Sequence, residues 1–216
     1  MISTPTILFE DANILVIHKP SGMPSQDGSQ AVGAGPSVVA WAREHVGRHY
    51  IGLVHRLDQE TEGLMVLGKR SKAANRLTDA LQGGRLKRRY LALALGTLSG
   101  NDVWKDLLQL EKGEKEATTI TIALQNRRVQ GHAVTLMDLE LETGRKHQIR
   151  IQAALRDHPI LGDRKYGGTR LPPPFQRLPL GLLSSAMSFP HPISDEVLSF
   201  KADFPKSWIE MGFKAV

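Results

Sequence analysis

The sequence predicts an α+β fold, a mainly antiparallel mixed sheet flanked by a few helices and loops. Three observations carry this. Apolar and polar residues alternate along several short runs, most cleanly over residues 133–142, where Met137, Leu139 and Leu141 interleave with Asp138, Glu140 and Glu142. Period-two alternation marks a half-buried antiparallel strand. The strand-like runs come in hairpin-like pairs, without the regular strand–helix alternation of a doubly wound sheet. No repeat and no composition boundary stands out, so one domain over residues 1–216 is expected.

Each element has a local reason. Residues 6–10 and 14–18 read as strands on either side of the turn Asp11-Ala12-Asn13. Lys19-Pro20-Ser21-Gly22 ends the second strand, and a loop rich in Gly, Ser and Gln follows over 23–36. Ser37 can cap a helix that carries Val38, Trp41, Ala42 and Val46 and stops at Gly47. Ile51, Leu53 and Val54 lead into a polar loop, and Leu64, Met65, Val66 and Leu67 lead out; both flanks read as short, largely buried strands. Ser71 caps a second helix, with Ala74, Leu77 and Leu81 on one face and Gly83-Gly84 at its end. Residues 85–95 form a strand with Tyr90, Ala92 and Ala94 on one side and Leu91, Leu93 and Leu95 on the other. Further strands cover 118–123 and 133–142. A helix starts near Lys146 or His147 and runs to Arg156, turning Ile149, Ala153 and Ala154 inward. Residues 171–183, with four prolines, read as an extended or mobile loop.

Composition excludes several classes. With 216 residues, 41% of them hydrophobic, the chain can bury a proper core. Its longest apolar runs, such as 90–95, are far too short to span a bilayer. Glu10 and Asp11 come early, with no basic region before them, which argues against a secretory signal and for a cytoplasmic location. The absence of cysteine excludes disulfides, thiolate metal sites and cysteine nucleophiles. The eight histidines are scattered and form no His-x-x-x-His pair on a helix, since Gly47 stops the first helix between His45 and His49, which gives weak support to a chain without a metal. Twenty-eight Lys and Arg against 22 Asp and Glu give a net charge of +6 and a pI near 9.7. That surplus suits a polyanionic partner, or simply a basic enzyme. Aromatic content of 6% argues against an extended base-stacking platform. Gly33-Ala34-Gly35 lacks the strand–glycine–helix context and the lysine of a phosphate loop.

Two segments concentrate chemistry. Val54-His55-Arg56-Leu57-Asp58-Gln59-Glu60-Thr61-Glu62-Gly63-Leu64 places a histidine, an arginine and an aspartate in a tight loop between buried strands. Asp58 is a carboxylate that can serve as nucleophile or base, and in a partly apolar pocket it needs a cation to stay ionised. Thr143-Gly144-Arg145-Lys146-His147-Gln148-Ile149-Arg150 offers such cations at a helix start, where anions are also favoured. Arg145 and Arg150 are five apart, so one can reach inward while the other meets a phosphate. The densest basic cluster, Arg85, Lys87, Arg88 and Arg89, fits either contact with a nucleic-acid backbone or ordinary solubility.

The pattern His-Arg-Leu-Asp, then Thr61 and Gly63, resembles the active-site motif of the RluA family of RNA pseudouridine synthases. Four further elements resemble that family in the right order: Lys19-Pro20-Ser21-Gly22, the run from Arg88 through Tyr90 to Gly96, the segment from Thr143 to Arg150 with His158 to Gly167 after it, and Phe189-Pro190-His191-Pro192. The likeness spans roughly residues 7–208. The chain departs from the family at Ile151-Gln152, at Ser184-Ser185 and across 100–131.

The resemblance implies the pseudouridine synthase catalytic fold, in a short form without an N-terminal S4 domain. It implies an isomerase that converts uridine in ribosomal or transfer RNA to pseudouridine after flipping the base, with no cofactor, and the chain is expected to act as a monomer away from membranes. Asp58 corresponds to the essential aspartate, which acts in glycosidic cleavage either as nucleophile or by removing a sugar proton. Tyr90, which the strand pattern alone reads as a core residue, corresponds to the tyrosine that packs against uracil. Arg150 corresponds to the arginine that pairs with the aspartate. Arg56 stands where the family fills the space left by the flipped nucleotide. Lys19, Arg88, Arg145, Lys146 and His147 are expected to face RNA, and His55 and His147 to be structural or RNA-facing, not general bases. Two other activities compete: RNA binding on the same fold without chemistry, against which the intact Asp58, Tyr90 and Arg150 set argues, and a base-releasing glycosylase, which would also use a carboxylate beside a sugar.

Overall fold

The computed structural model describes residues 4–28, 35–111 and 113–216. In chain order the elements are β1 Thr6–Glu10, β2 Ile14–Lys19, α1 Val38–Val46, β3 Gly52–Leu53, β4 Glu62–Gly68, α2 Ser71–Gln82, β5 Lys87–Leu95, β6 Asn101–Leu110, β7 Gly113–Val129, β8 His132–Leu141, α3 Gln148–Leu155, a 3-10 turn at Gly168–Arg170, α4 Pro173–Gln176, β9 Leu182–Pro190, β10 Val197–Lys201 and α5 Lys206–Glu210. The fold is α+β, as the alternation predicts. The chain divides into two compact units, Met1–Arg88 with Ser184–Ala202, and Arg89–Leu183 with Asp203–Val216. Two of the three divisions fall inside strands, β5 and β9, where composition marks no boundary, and the third follows β10. Gly33 and Ala34 lie outside the described residues.

In the first unit, β1, β2, β4 and β9 are neighbours in that order, with β3 on β4 and β10 on β9. The pairs β1–β2, β2–β4, β3–β4 and β9–β10 are antiparallel. Ile14 to Ile17 and Leu64 to Leu67 are fully buried on both faces, which is why these strands read as continuous apolar runs instead of alternating ones. One face packs Ile14, Val16, Leu64 and Val66 against Ala73, Leu77 and Ala80 of α2 and against Met187 and Phe189. Helix α2 approaches the sheet closely because the paired residues Gly52 and Gly68 present no side chain to it. Ser37 caps α1 as expected, accepting from the Ala40 amide at 3.0 Å, and Gly47 ends it with φ +65. For α2 the expectation shifts by one residue. Arg70 is the cap, with no side-chain hydrogen bond, and Ser71 is the first helical residue.

The second unit orders β5, β8, β7 and β6. These pair antiparallel in long hairpins. Gln130-Gly131, both at positive φ, makes the two-residue turn between β7 and β8, a backbone twist suited to tight hairpins. Helix α3 turns Ile149, Ala153 and Ala154 inward. It is tied to the hairpin by the buried Gln152, which accepts from Thr119 Oγ1 at 2.6 Å and donates to the Trp104 carbonyl at 3.1 Å and to Asp106 at 2.7 Å. The 171–183 segment is not a loop throughout. It contains α4 and is anchored by the fully buried Phe175, whose carbonyl accepts the Gly162 amide at 3.1 Å.

Gly63, at the start of β4, has φ +115, and a Cβ there would lie 2.7 Å from the Ser184 backbone nitrogen. Gly63→Ala should therefore destabilise the protein by roughly 3 kcal/mol through backbone strain and overlap. A lowered urea midpoint at unchanged slope would register this.

Candidate active site

The loop carrying Asp58 is held from beneath by the segment that follows β2. Lys19 is fully buried, and its ammonium donates to the carbonyls of Pro20 at 2.9 Å, Met23 at 2.8 Å and Gln59 at 3.0 Å. Burial pushes Lys19 down to about 7, while the negative charges of Asp58 and Glu62 pull it upward. Three carbonyl acceptors need three protons, so this cage is built for the charged form. The same strap adds Gly22 N–H to the Gln59 carbonyl at 2.8 Å, Gln59 Nε2 to the Gly22 carbonyl at 3.0 Å and Ser21 Oγ to the Glu60 carbonyl at 2.7 Å. Ser25 both donates to the Leu57 carbonyl at 2.6 Å and accepts its amide at 3.1 Å. A turn closes from Thr61 N–H to the Asp58 carbonyl at 3.1 Å. Asp58 is thus half-buried on a loop whose backbone is fixed on both sides, and Arg56 beside it is exposed.

His55 is buried within this loop and accepts the Val66 amide on Nε2 at 3.2 Å. That fixes a neutral ring with its proton on Nδ1, a nitrogen with no hydrogen-bond partner among the described residues. Burial, then the nearby Arg88 charge, push His55 down to about 3. Arg88 itself is buried, and its Nε is likewise without a partner among the described residues. Arg89 pairs with Asp138 at 2.5 Å.

In the second unit, Tyr90 is buried on β5, opposite Leu139 of β8. Arg150 is buried on α3, and its Nε and one terminal nitrogen both donate to Asp163, each at 2.8 Å. Asp163 also accepts the amides of Lys165 and Tyr166 at 3.0 Å. Burial alone would raise Asp163, but the Arg150 hydrogen bonds and these amides hold it below the usual carboxylate range. The Tyr166 ring lies 5.4 Å from the Arg150 guanidinium, and its hydroxyl meets His147 Nδ1 at 2.8 Å. The turn before α3 is fixed by the buried Gln148. Its Oε1 accepts from Thr143 Oγ1 and Arg145 N–H, and its Nε2 donates to Thr118 and Thr119. His147 sits in the left-handed region at φ 56. Arg145 and Lys146 are exposed, the first on the Glu116 carbonyl at 2.9 Å and the second on Glu111 at 2.5 Å.

The first unit therefore gathers Lys19, Arg56 and Asp58, with Arg88 beside His55. The second holds Tyr90, Arg145, Lys146, His147 and Arg150. Asp163, Gln148 and Tyr166 complete the surroundings of Arg150 and were not singled out by sequence reasoning; the only signal was their place in matching motifs. Two residues at the departures, Gln152 and Ser184, are buried as well. Gln152 ties α3 to the β6–β7 hairpin, and Ser184 donates to the Leu64 carbonyl at 3.1 Å. Among the described residues, no group of three or more His, Asp or Glu side chains could hold a metal ion, and no helix is long and apolar enough to cross a membrane.

Acidification should report on His55. An ordinary histidine protonates near 6.5, whereas the folded one resists until about 3. Between those values the unfolded chain binds the extra proton, so stability falls as pH falls through that window. Urea titrations at successive pH values should show a slope steeper by up to about 1.4 kcal/mol per pH unit in the wild type than in His55→Asn.

Comparison with known proteins follows from this arrangement. The family model for RNA pseudouridylate synthase matches residues 13–155, which include Asp58, Tyr90 and Arg150. Ribosomal large subunit pseudouridine synthase D of Vibrio cholerae serotype O1 is 33% identical over 95% of this chain and 69% of its own. The uncharacterized RNA pseudouridine synthase YhcT of Bacillus subtilis is 33% identical over 92% of this chain and 68% of its own. Among solved structures, human RNA pseudouridylate synthase domain containing 1 shares the fold, with a TM-score of 0.78 at 19% identity, over 95% of this chain and 85% of that one. Human RNA pseudouridylate synthase domain containing 4 does so with a TM-score of 0.74 at 22% identity, over 95% and 91%. The chain belongs to the RluA family of RNA pseudouridine synthases, isomerases that act on RNA.

Proposed function

We propose that this enzyme acts through Asp58, on a uridine flipped out of structured RNA. The observation that carries the reading is the fixed turn around Asp58, a half-buried carboxylate whose backbone is strapped to the 19–25 segment. A carboxylate held this way meets the sugar of an extruded nucleotide without first being reordered. The bond from uracil N1 to ribose C1′ breaks, the ring turns, C5 joins C1′, the C5 proton leaves to solvent, and N1 takes up a proton in its place. Atoms and charge balance without a redox partner or phosphate transfer, so no cofactor enters the scheme.

The other residues take supporting roles. Tyr90 packs against the uracil, and Arg150, which two hydrogen bonds to Asp163 orient, is the arginine that the family pairs with its aspartate. Arg56, exposed next to Asp58, fills the space vacated by the nucleotide. Arg145, Lys146 and His147 meet the RNA. Lys19 and Arg88 are reassigned: both are buried, so they support the site from within and do not meet phosphate. The name of the Vibrio cholerae relative supports large-subunit ribosomal RNA as the target, with transfer RNA as the second choice. The chain works as one catalytic domain, as a monomer in the cytoplasm.

Total RNA from a strain lacking the protein, tritiated at uridine C5, provides the test. Wild type should release tritium, and Asp58→Asn should lose at least about 1000-fold in rate while keeping its melting temperature. Near wild-type release by Asp58→Asn would contradict the assignment, and fractionating the RNA would locate the target.

A further inference from the structure

The second unit contains a cavity of about 710 Å³ whose apolar lining the scheme above does not use. Its volume falls within the roughly 300–1,000 Å³ typical of small-ligand sites. Leu108 of β6 and Ile151 and Leu155 of α3 form an apolar floor, and Tyr166 forms one wall. Leu155 is 61% exposed, although α3 has an otherwise buried face. Apolar surface left open in a concave site is surface kept for a ligand. The rim is cationic. Lys115, Arg145, Lys146 and Lys165 line it, against one carboxylate, Glu111, which Lys146 engages at 2.5 Å. Tyr166 also stacks near Arg150, so the cavity shares a wall with that residue's surroundings.

An apolar floor with an aromatic wall suits a flat base, and a cationic rim suits the phosphates on either side of it. We propose that this cavity holds an unstacked nucleotide of single-stranded RNA, with its base over Leu155 and its phosphates at Lys115 and Lys165. The site would add a second point of RNA recognition beside the catalytic one. The inference rests on the enzyme's action on RNA for the identity of its ligand.

Leu155→Glu and Lys115→Glu test it, because both side chains are exposed and neither belongs to the machinery around Asp58, Tyr90 and Arg150. The probe is a fluorescein-labelled single-stranded RNA of roughly 12 nucleotides, compared with its duplex by anisotropy. Each variant should bind the single strand about tenfold more weakly, within the range of one lost stacking or phosphate contact, and bind the duplex like wild type. Leu155→Met should retain wild-type affinity. In tritium release from the same RNA preparation, KM should rise in parallel at unchanged kcat. Single-strand affinity equal in wild type and both glutamate variants would overturn the inference and leave the cavity to a protein partner. Loss of single-strand binding in the variants, with no tritium release by wild type, would uphold the cavity while the Asp58 scheme fails.

Discussion

One buried ammonium sets the geometry of the loop that carries Asp58. Taking Lys19 out of water is costly, and the cost is offset only because three carbonyls, from Pro20, Met23 and Gln59, accept its protons. Two of those carbonyls lie within four residues of Lys19, whereas Gln59 is 40 positions away. The contact therefore fastens the strap after β2 to the turn at 58–61. Ser21, Gly22 and Ser25 add further bonds across the same seam. Gly63 completes the arrangement, since only a residue without a side chain fits beside Ser184 where β4 leaves the loop.

Polar contacts play the same part in the second unit. Arg150 is fixed by two parallel hydrogen bonds to Asp163, and Asp163 by two backbone amides. Gln148 and Gln152, four residues apart on α3, anchor the helix to the β6–β7 hairpin through satisfied amides. A buried polar group with all its partners permits few alternative positions, whereas apolar packing tolerates sliding. Side chains that must act to within a fraction of an ångström are held best in this way.

Much of the fold was legible because local signals agreed with tertiary ones. The cap at Ser37, the stop at Gly47 and the runs at 14–17 and 64–67 each had a physical reading that the structure repeats. Strand β6 was missed because Val103, Trp104, Leu107 and Leu108 come in adjacent pairs, a spacing that suits neither period well. Strand β9 is diluted by serines, and β10 has only a weakly buried face. The proline-rich 171–183 segment looked free because one residue, Phe175, holds it. At the site, motifs pointed to Asp58 and Arg150, but their supports depend on contacts 13 to 40 residues apart that no local pattern reveals. Lys19, expected to face RNA, is buried for a reason of the same kind, since its cage closes only with the Gln59 carbonyl 40 residues away.

The structural role of the Lys19 ammonium has a direct test. Lys19→Met keeps the stem and removes the ammonium, and its kcat for tritium release can be set beside the salt dependence of RNA binding. A structural Lys19 predicts that kcat falls roughly tenfold or more while the slope of log affinity against log salt stays at the wild-type value. An intact kcat with a slope reduced by about one would mean that Lys19 contacts a phosphate, and would contradict the account.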